Sequence, residues 1–190
     1  SVARVARGAE VLDGRRAAAD AAGAERKVIE FEPGGKGSWN KELNKPLASN
    51  AEYVDRGTGY RYLTDGQGRV TEADGKLVLK SGERNGYQQS HAGGADRLAS
   101  DDGGHLIATI FKGPGERLNL VPMDSNLNRG AWKAMENSWS EALSQGKEVS
   151  VQIKPHYDGT SLRPDSFEVR YTIGGGRPQY ETFLNRPGGR

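Results

Sequence analysis

One amphipathic helix stands out in this sequence and limits the folds open to the chain. Between residues 130 and 145, Trp132, Met135 and Trp139 recur at intervals of three and four residues. This spacing places a single apolar stripe along one face of a helix. Gly146 predicts where that helix ends. It is the best helical pattern in the chain, so most of the remaining core must come from strands.

Short alternating segments on both sides of this helix predict a β-sheet. Tyr, Val and Leu recur between glycine-containing turns, which predicts a small antiparallel meander with strands near 52–54, 60–63, 68–72 and 76–80. Two longer alternating stretches predict a hairpin within 147–175, followed by an edge strand near 178–185. The predicted fold class is therefore α+β, a twisted antiparallel sheet with one main packed helix at about 130–145.

The two ends of the chain show weaker patterns. Residues 1–50 predict a loosely structured N-terminal arm or linker, because alanine dominates the apolar positions of its first half and Pro, Gly, Asn and Ser cluster in its second half. Residues 51–185 then form the predicted folded domain, and residues 186–190 a mobile tail. The chain begins at Ser1 without methionine, which predicts an excised piece of a longer polypeptide, and a processed mature protein would begin in the same way.

Composition restricts the chemistry available to the chain. Without cysteine it can form neither a disulfide nor a thiolate metal site, so a bound metal would need oxygen or imidazole ligands. The 27 basic and 25 acidic residues leave a net charge of +2. Such a balance excludes a strong global attraction to nucleic acid but permits a local basic groove. No apolar run reaches the roughly 18 residues of a membrane-spanning helix.

The stretch from Asp101 to Glu136 contains the side chains best suited to catalysis. His105 follows two aspartates and two glycines, and a carboxylate or carbonyl holding one ring nitrogen would leave the other free to take a proton. Asn128 and Glu136 offer an amide oxygen and a carboxylate. If a helix begins near Asn128, the two lie about 12 Å apart along its axis. One direct ligand and one carboxylate acting through water would then suit Mg²⁺.

Each of these residues also has an ordinary structural interpretation. His105 could be a satisfied histidine within a strand. Asn128 could be the N-cap of the helix, and Glu136 a solvated residue on its exposed face. Taken one at a time, these interpretations are favoured over catalysis.

The order of the segments DDGGH, NLVPM and NLNRGAWKAME changes this balance. Together they resemble the DNA/RNA non-specific endonuclease family, whose active site is a ββα-metal motif. The words GHLIA, NLVPM and LNRG are most similar to the bacterial toxin branch of that family. The resemblance covers about residues 84–173.

The resemblance implies a metal-dependent endonuclease that cleaves DNA, RNA or both and leaves 5′-phosphate ends. His105 would be the general base, and Asn128 the direct ligand of one Mg²⁺, with Mn²⁺ as a possible substitute. Glu136 would act on that ion through a bound water, and Asp102 would support the geometry of the motif. One departure stands out: Gly103 occupies the position where the family's usual motif has arginine. Three other cations are candidates to contact the substrate phosphate in its place: Arg84, Arg129 and Lys133.

The toxin branch also implies a biological setting. The chain would be the C-terminal toxin module of an antibacterial effector that is secreted or delivered by a secretion system. It would act on nucleic acid in the target-cell cytoplasm, without a membrane partner, and a cognate immunity protein would block it. Two alternatives remain open, a non-catalytic nucleic-acid-binding module and a structural module of a surface protein that keeps the same fold.

Overall fold

The computed structural model describes residues 26–190, which contain nine strands and three α-helices. The strands are β1 (Lys27–Phe31), β2 (Ala51–Asp55), β3 (Arg61–Thr64), β4 (Val70–Lys76), β5 (Asp101–His105), β6 (Leu120–Asp124), β7 (Val149–Tyr157), β8 (Pro164–Ile173) and β9 (Gln179–Leu184). The helices are α1 (Gly86–His91), α2 (Ser125–Arg129) and α3 (Ala131–Ser144). Within this part of the chain, no helix is long and apolar enough to cross a membrane.

Seven strands form the main sheet in the order β1-β2-β3-β4-β7-β8-β9, while β5 and β6 form a separate antiparallel pair. All neighbours in the main sheet are antiparallel except β1 and β2. The predicted hairpin and edge strand are present, and so are the first three strands of the predicted meander. The strand predicted at 76–80 is wrong, because β4 ends at Lys76 and only an isolated bridge joins Lys80 to Phe111.

Helix α3 packs its apolar stripe against the main sheet, as its spacing predicts. The ring of Trp132 lies 5.2 Å from that of Phe167 and 5.6 Å from that of Phe183. Two turns further along the same face, the ring of Trp139 lies 5.4 Å from that of Tyr171. Both tryptophans are almost completely buried. These large aromatic contacts fix the helix on β8 and β9, and the predicted α+β fold class is confirmed.

The structure differs from the predicted loose arm over residues 1–50. Residues 27–31 form β1, which pairs in parallel with β2, and Phe31 is buried against the rings of Tyr53 and Tyr62. The following loop is tied down as well, because Gly34 and Asn40 donate backbone hydrogen bonds to one carboxylate oxygen of Glu116. The prediction is therefore wrong for this part of the segment, and residues 1–25 lie outside the described residues.

The C-terminal residues differ from the predicted mobile tail. Pro187–Gly189 form a 3-10 turn, and the backbone N–H of Gly188 donates to Asn126 Oδ1 in α2 at 2.7 Å. Just before this turn, the buried Asn185 accepts a hydrogen bond from the backbone N–H of Asp124 and donates to Pro122 O and Pro164 O. The end of the chain therefore braces the junction between β6 and α2.

The β5–β6 pair and the two helices that follow form a compact ββα unit. Helix α2 begins directly after β6 because Asp124 Oδ2 accepts a hydrogen bond from the backbone N–H of Leu127. Gly130 then separates α2 from α3 with φ −108° and ψ −103°. A Cβ at this position would lie 2.7 Å from Asn126 O. The two helices therefore leave the junction separately, one bearing Asn128 and the other Glu136.

Candidate active site

A cleft of about 550 Å³ lies where β5 and the three helices meet. Residues of β5 and of all three helices line it. All seven of the predicted site residues line this cleft: Arg84, Asp102, His105, Asn128, Arg129, Lys133 and Glu136. The structure thus brings together residues that are widely separated in the sequence, and it does so by the fold of the ββα unit.

Asp102 organises the α2 side of the cleft. Its Oδ2 accepts hydrogen bonds from Asn128 Nδ2 at 3.0 Å and Arg129 Nε at 2.9 Å, and its Oδ1 accepts one from Arg129 Nη2 at 2.7 Å. Partial burial opposes ionisation of this carboxyl, but the hydrogen bonds from Arg129 and Asn128 outweigh it and lower the pKa. Asp102 is therefore an anion that fixes two neighbouring side chains at once.

This contact determines how the Asn128 amide is oriented. Because Nδ2 is the donor to Asp102, Oδ1 must point the other way. Within residues 26–190, Asn128 Oδ1 accepts no hydrogen bond, and it lies close to the backbone of Gly104 in β5. Asn128 is not the helix N-cap, a role that Asp124 fills. Its free oxygen is available to a ligand in the cleft.

His105 is held in a desolvated position at the end of β5. Only 7% of the residue is exposed, and burial, together with the positive charge of Arg84, lowers its pKa to about 4. The imidazole is therefore neutral at physiological pH and able to accept a proton. Its Nε2 is buried and has no hydrogen-bond partner in the described part of the chain. Exchange of a proton with the cleft must then involve Nδ1.

The carboxylates that precede His105 do not contact it, contrary to the sequence-based expectation. Asp101 forms a buried ion pair with Arg163 from β8, with Nε at 2.7 Å and Nη2 at 2.9 Å. Asp102 is engaged by Arg129. Spacing along β5 explains this, because each residue of a strand advances the chain by about 3.3 Å, which leaves the two aspartates roughly 10–13 Å from His105 along the strand. Within residues 26–190, the His105 ring has no carboxylate partner, and its pKa is set by burial and by Arg84.

Glu136 lies on the buried side of α3, so it is not a solvated helix residue. Burial raises its pKa to about 7, although the positive charges of Lys133 and Arg84 oppose this shift. A carboxylate that is costly to ionise in an empty cleft becomes easier to ionise once a cation is bound. Glu136 is therefore poised to respond to positive charge at this site.

The oxygen donors in the cleft fit a hard divalent cation. No group of three or more His, Cys, Asp or Glu side chains is arranged to hold a metal within residues 26–190. Asn128 Oδ1 and the Glu136 carboxylate are both oxygen donors, and two such donors would leave most coordination positions of a cation to water and substrate. Mg²⁺ and Mn²⁺ tolerate this arrangement, since Mg²⁺ usually keeps several waters.

The cations around the cleft differ in their freedom to bind a phosphate. Arg129 is committed to Asp102 through two of its nitrogens but remains largely exposed. In the described part of the chain, Arg84 and Lys133 form no hydrogen bond or ion pair, so their charges are available. A further cation, Arg97, was not predicted from sequence. It lines the cleft and donates to Gln89 O at 2.7 Å and Asp101 O at 2.9 Å.

The packing of α1 against β5 explains why Gly103 stands in the place of the motif arginine. A Cβ at residue 103 would lie 2.1 Å from Gln89 O and 2.5 Å from Gln89 Cα. The backbone of α1 therefore fills the space that any side chain at this position would need. Helix α1 was also missed from sequence. Its one local signal is the N-cap Asn85, whose Oδ1 accepts from the backbone N–H of Gln88.

Replacing Glu136 with glutamine should stabilise the metal-free protein at alkaline pH. The carboxyl has an ordinary pKa of 4.5 when the chain is unfolded and a pKa of about 7 when it is folded. Stability therefore falls as the pH rises from 4.5 to 7, and the full cost of ionisation remains above pH 7. We expect a gain of about 1–3 kcal/mol at pH 8 and none at pH 4.

Urea unfolding in the presence of a chelator, at pH 4, 6 and 8, measures this effect. Glu141→Gln is the matched control, since Glu141 lies on the exposed side of the same helix. Equal stability of Glu136→Gln and wild type at pH 8 would contradict the predicted cost of ionisation.

Comparison with known proteins agrees with this geometry. The sequence profile of the DNA/RNA non-specific endonuclease family matches residues 49–175. The type VII secretion system protein EssD of Staphylococcus aureus (strain USA300) is 44% identical over 140 residues, which are 70% of this chain and 23% of EssD. The chain thus spans less than a quarter of that relative's length.

Two solved structures share the fold. NucA from Streptococcus agalactiae, solved with no metal bound, superposes with a TM-score of 0.55 at 20% identity, covering 70% of this chain and 73% of its own. The Sda1 nuclease with a bound zinc ion gives a TM-score of 0.50 at 18% identity, covering 68% and 76%. At this level of identity the two matches establish the fold alone.

Proposed function

This chain belongs to the DNA/RNA non-specific endonuclease family, and on that premise we propose that it hydrolyses phosphodiester bonds of DNA, RNA or both with the help of Mg²⁺. The observation that carries the proposal is the convergence of a neutral, desolvated His105, a free Asn128 oxygen and a buried Glu136 in one cleft bordered by cations. Hydrolysis of a phosphodiester needs a base, charge neutralisation and a way to hold the phosphate, and the cleft offers all three.

His105 is the proposed general base. Its neutral imidazole takes a proton from the attacking water as the oxygen of that water forms its bond to phosphorus. Because Nε2 is enclosed, Nδ1 is the atom that receives the proton. General bases of this kind work best when held within hydrogen-bond reach of the nucleophile, and burial of His105 at the end of β5 keeps the ring in place.

Asn128 and Glu136 are the proposed holders of the cation, Asn128 directly through Oδ1 and Glu136 through water. Asp102 keeps the amide oxygen of Asn128 turned away from itself. When bound, Mg²⁺ or Mn²⁺ stabilises negative charge that develops on the phosphate and on the leaving 3′-oxygen. The protein's part is to present oxygen ligands and to keep the amide in one orientation.

The cations Arg84, Arg129 and Lys133 are the proposed phosphate contacts. They replace the motif arginine that Gly103 excludes. Arg129 is the most constrained, since Asp102 holds it by two hydrogen bonds and leaves its Nη1 free of partners within the described residues. Arginine presented in this manner can bind a phosphate oxygen without first becoming ordered.

The relation to EssD supports a wider biological proposal. A chain similar to one part of a type VII secretion system protein is a candidate toxin module of a secreted antibacterial effector. Nuclease activity in the cytoplasm of the target cell would then require an immunity protein in the producing cell. An acidic contact surface on that partner would complement the cations around the cleft.

Removal of divalent metal is expected to abolish cleavage. The 190-residue chain should degrade plasmid DNA or RNA in Mg²⁺ or Mn²⁺, lose this activity in excess chelator, and regain it when Mg²⁺ is restored. Gel assays on DNA and RNA side by side measure both the dependence and the substrate preference. Undiminished cleavage in chelator would contradict the proposed metal requirement.

The same assays separate the rival functions. A non-catalytic binding module would shift the mobility of nucleic acid yet leave it uncut under every divalent ion. A structural module of a surface protein would neither bind nucleic acid nor release heat when titrated with Mg²⁺ or Mn²⁺ in a calorimeter.

A further inference from the structure

Helix α1 is fixed beside the active-site cleft although it contributes nothing to the core. None of its side chains is buried. Backbone contacts hold it instead: Asn85 caps its first turn, the Gln89 backbone packs on Gly103, and Arg97 binds Gln89 O. A helix that is held firmly but buries no side chain is free to present those side chains to a ligand.

An aromatic pair occupies the exposed side of this helix. The rings of Tyr87 and His91 stack at 4.0 Å with an interplanar angle of 22°. His91 Nδ1 lies 2.7 Å from Tyr87 O and 3.0 Å from Ser90 Oγ, which limits rotation of the imidazole. Tyr87 is nevertheless 66% exposed. Since His91 covers one face of the phenol ring, the other face must be open to solvent.

This aromatic pair lies next to residues of α1 that line the cleft. Gly86, Gln89 and Ser90 of the same helix line the cleft itself. Tyr87 and Ser90 are three residues apart and therefore adjacent on the helix surface. A strand whose scissile phosphate lies at His105, and which leaves the cleft along α1, would pass this aromatic pair.

We propose, resting on the nuclease function above, that the Tyr87–His91 stack is a platform for one unpaired nucleobase of the bound strand. Every base has a flat π-face, so stacking on tyrosine holds a base without reading its identity. The platform would also ignore the sugar, because it makes no contact that distinguishes a 2′-hydroxyl. It therefore suits an enzyme that must accept many sequences.

The platform predicts a preference for single-stranded or locally opened substrate. A base in a duplex is already stacked on its neighbours and must leave them to reach Tyr87. Loss of one such stacking contact weakens binding by roughly tenfold. The same nucleotide should matter regardless of which base it carries.

Binding of single-stranded oligonucleotides with one abasic site at successive positions tests the platform. Fluorescence anisotropy in chelator gives Kd without cleavage. For the wild type, one abasic position near the cleft should raise Kd about tenfold. Tyr87→Ala should raise Kd of the intact oligonucleotide by a similar factor and be insensitive to that abasic site. Tyr87→Phe, which keeps the ring, should behave as wild type.

Tyr180→Ala is the matched control, since Tyr180 is 71% exposed on the edge strand β9. Two results would overturn the platform. One is a Kd of Tyr87→Ala for the abasic oligonucleotide that rises by the product of the two separate increases. The other is a Tyr87→Ala variant with the same Kd as Tyr180→Ala. Cleavage measured separately in Mg²⁺ keeps the two proposals apart. An inactive wild type that still shows the coupling in Kd would refute the nuclease function alone.

Discussion

Replacement of His105 by alanine is expected to lower the cleavage rate by about 10²–10⁴-fold at saturating substrate and Mg²⁺. The imidazole is neutral because burial and Arg84 lower its pKa to about 4, so it is ready to take a proton throughout the physiological range. With alanine the nucleophile must lose its proton to bulk water. Substrate binding should change little, because the loss concerns proton transfer in the transition state.

Steady-state cleavage of a fluorogenic oligonucleotide measures this loss. His156→Ala is the control variant, since His156 is exposed on β7 and, within residues 26–190, forms its one ion pair with Glu168 on the neighbouring strand. Added imidazole should partly restore the rate of His105→Ala, because the truncated side chain leaves room beside the cleft. A variant that keeps more than a tenth of the wild-type rate would rule out His105 as the general base.

The pH profile provides an independent check of the same residue. A base with a pKa of about 4 remains unprotonated until the solution is strongly acidic. At saturating Mg²⁺, the rate should therefore show no loss at the ordinary histidine pKa of 6.5. At limiting Mg²⁺, a decline near pH 7 is expected instead from protonation of Glu136, whose pKa is raised to about 7 in the empty cleft, and raising the Mg²⁺ concentration should shift that decline to lower pH.

The spacing of apolar residues in the sequence predicted those helices and strands that bury one face of their own side chains. The stripe of α3 and the alternation of β7 and β8 both encode a buried face, and both elements form where expected. Strand β1 was missed because its sequence is short and follows a weak segment. Its position depends on parallel pairing with β2, a long-range contact with no local signature.

The candidate site was predictable as a set of residues, and the structure places all of them around one cleft. Their roles stay predictions until activity is measured. The contacts among them were not foreseen. Asp102 binds Asn128 and Arg129, which are far from it in the sequence and come close because of the turn from β6 into α2. The helix break at Gly130 depends on backbone geometry. The position of Arg97 beside the cleft could not be predicted from the sequence, because it depends on hydrogen bonds to backbone carbonyls of α1.

Gly103 is a position in the cleft where a one-atom change is expected to have a large structural effect. An alanine Cβ would lie 2.1 Å from Gln89 O, and the obstacle is backbone, which cannot rotate away as a side chain can. Either α1 moves off β5 or the strand shifts. Overpacking of this kind costs about 1–3 kcal/mol, which corresponds to a fall in Tm of roughly 2–12 °C in a domain of this size.

Gly103→Ala should also reduce cleavage, because a displaced α1 carries Arg84 and the Tyr87–His91 stack away from the cleft. Thermal unfolding and cleavage rates of Gly103→Ala and Gly66→Ala separate this effect from a general intolerance of glycine replacement. Gly66 has open space around its Cβ position, so its variant should match wild type in both measurements. A Gly103→Ala protein as stable and active as wild type would show that α1 does not rest on β5.

Gly103→Arg carries the argument one step further. It restores the residue of the family's usual motif, and if charge alone were missing it would raise activity. We expect the opposite, a variant less stable and less active than Gly103→Ala, because α1 occupies the path of the longer side chain. Arg84, Arg129 and Lys133 reach the same cleft from other elements. The absence of the motif arginine therefore goes together with the presence of α1, because both cannot occupy the same space. Gly103→Arg restores the arginine but leaves α1 in its path.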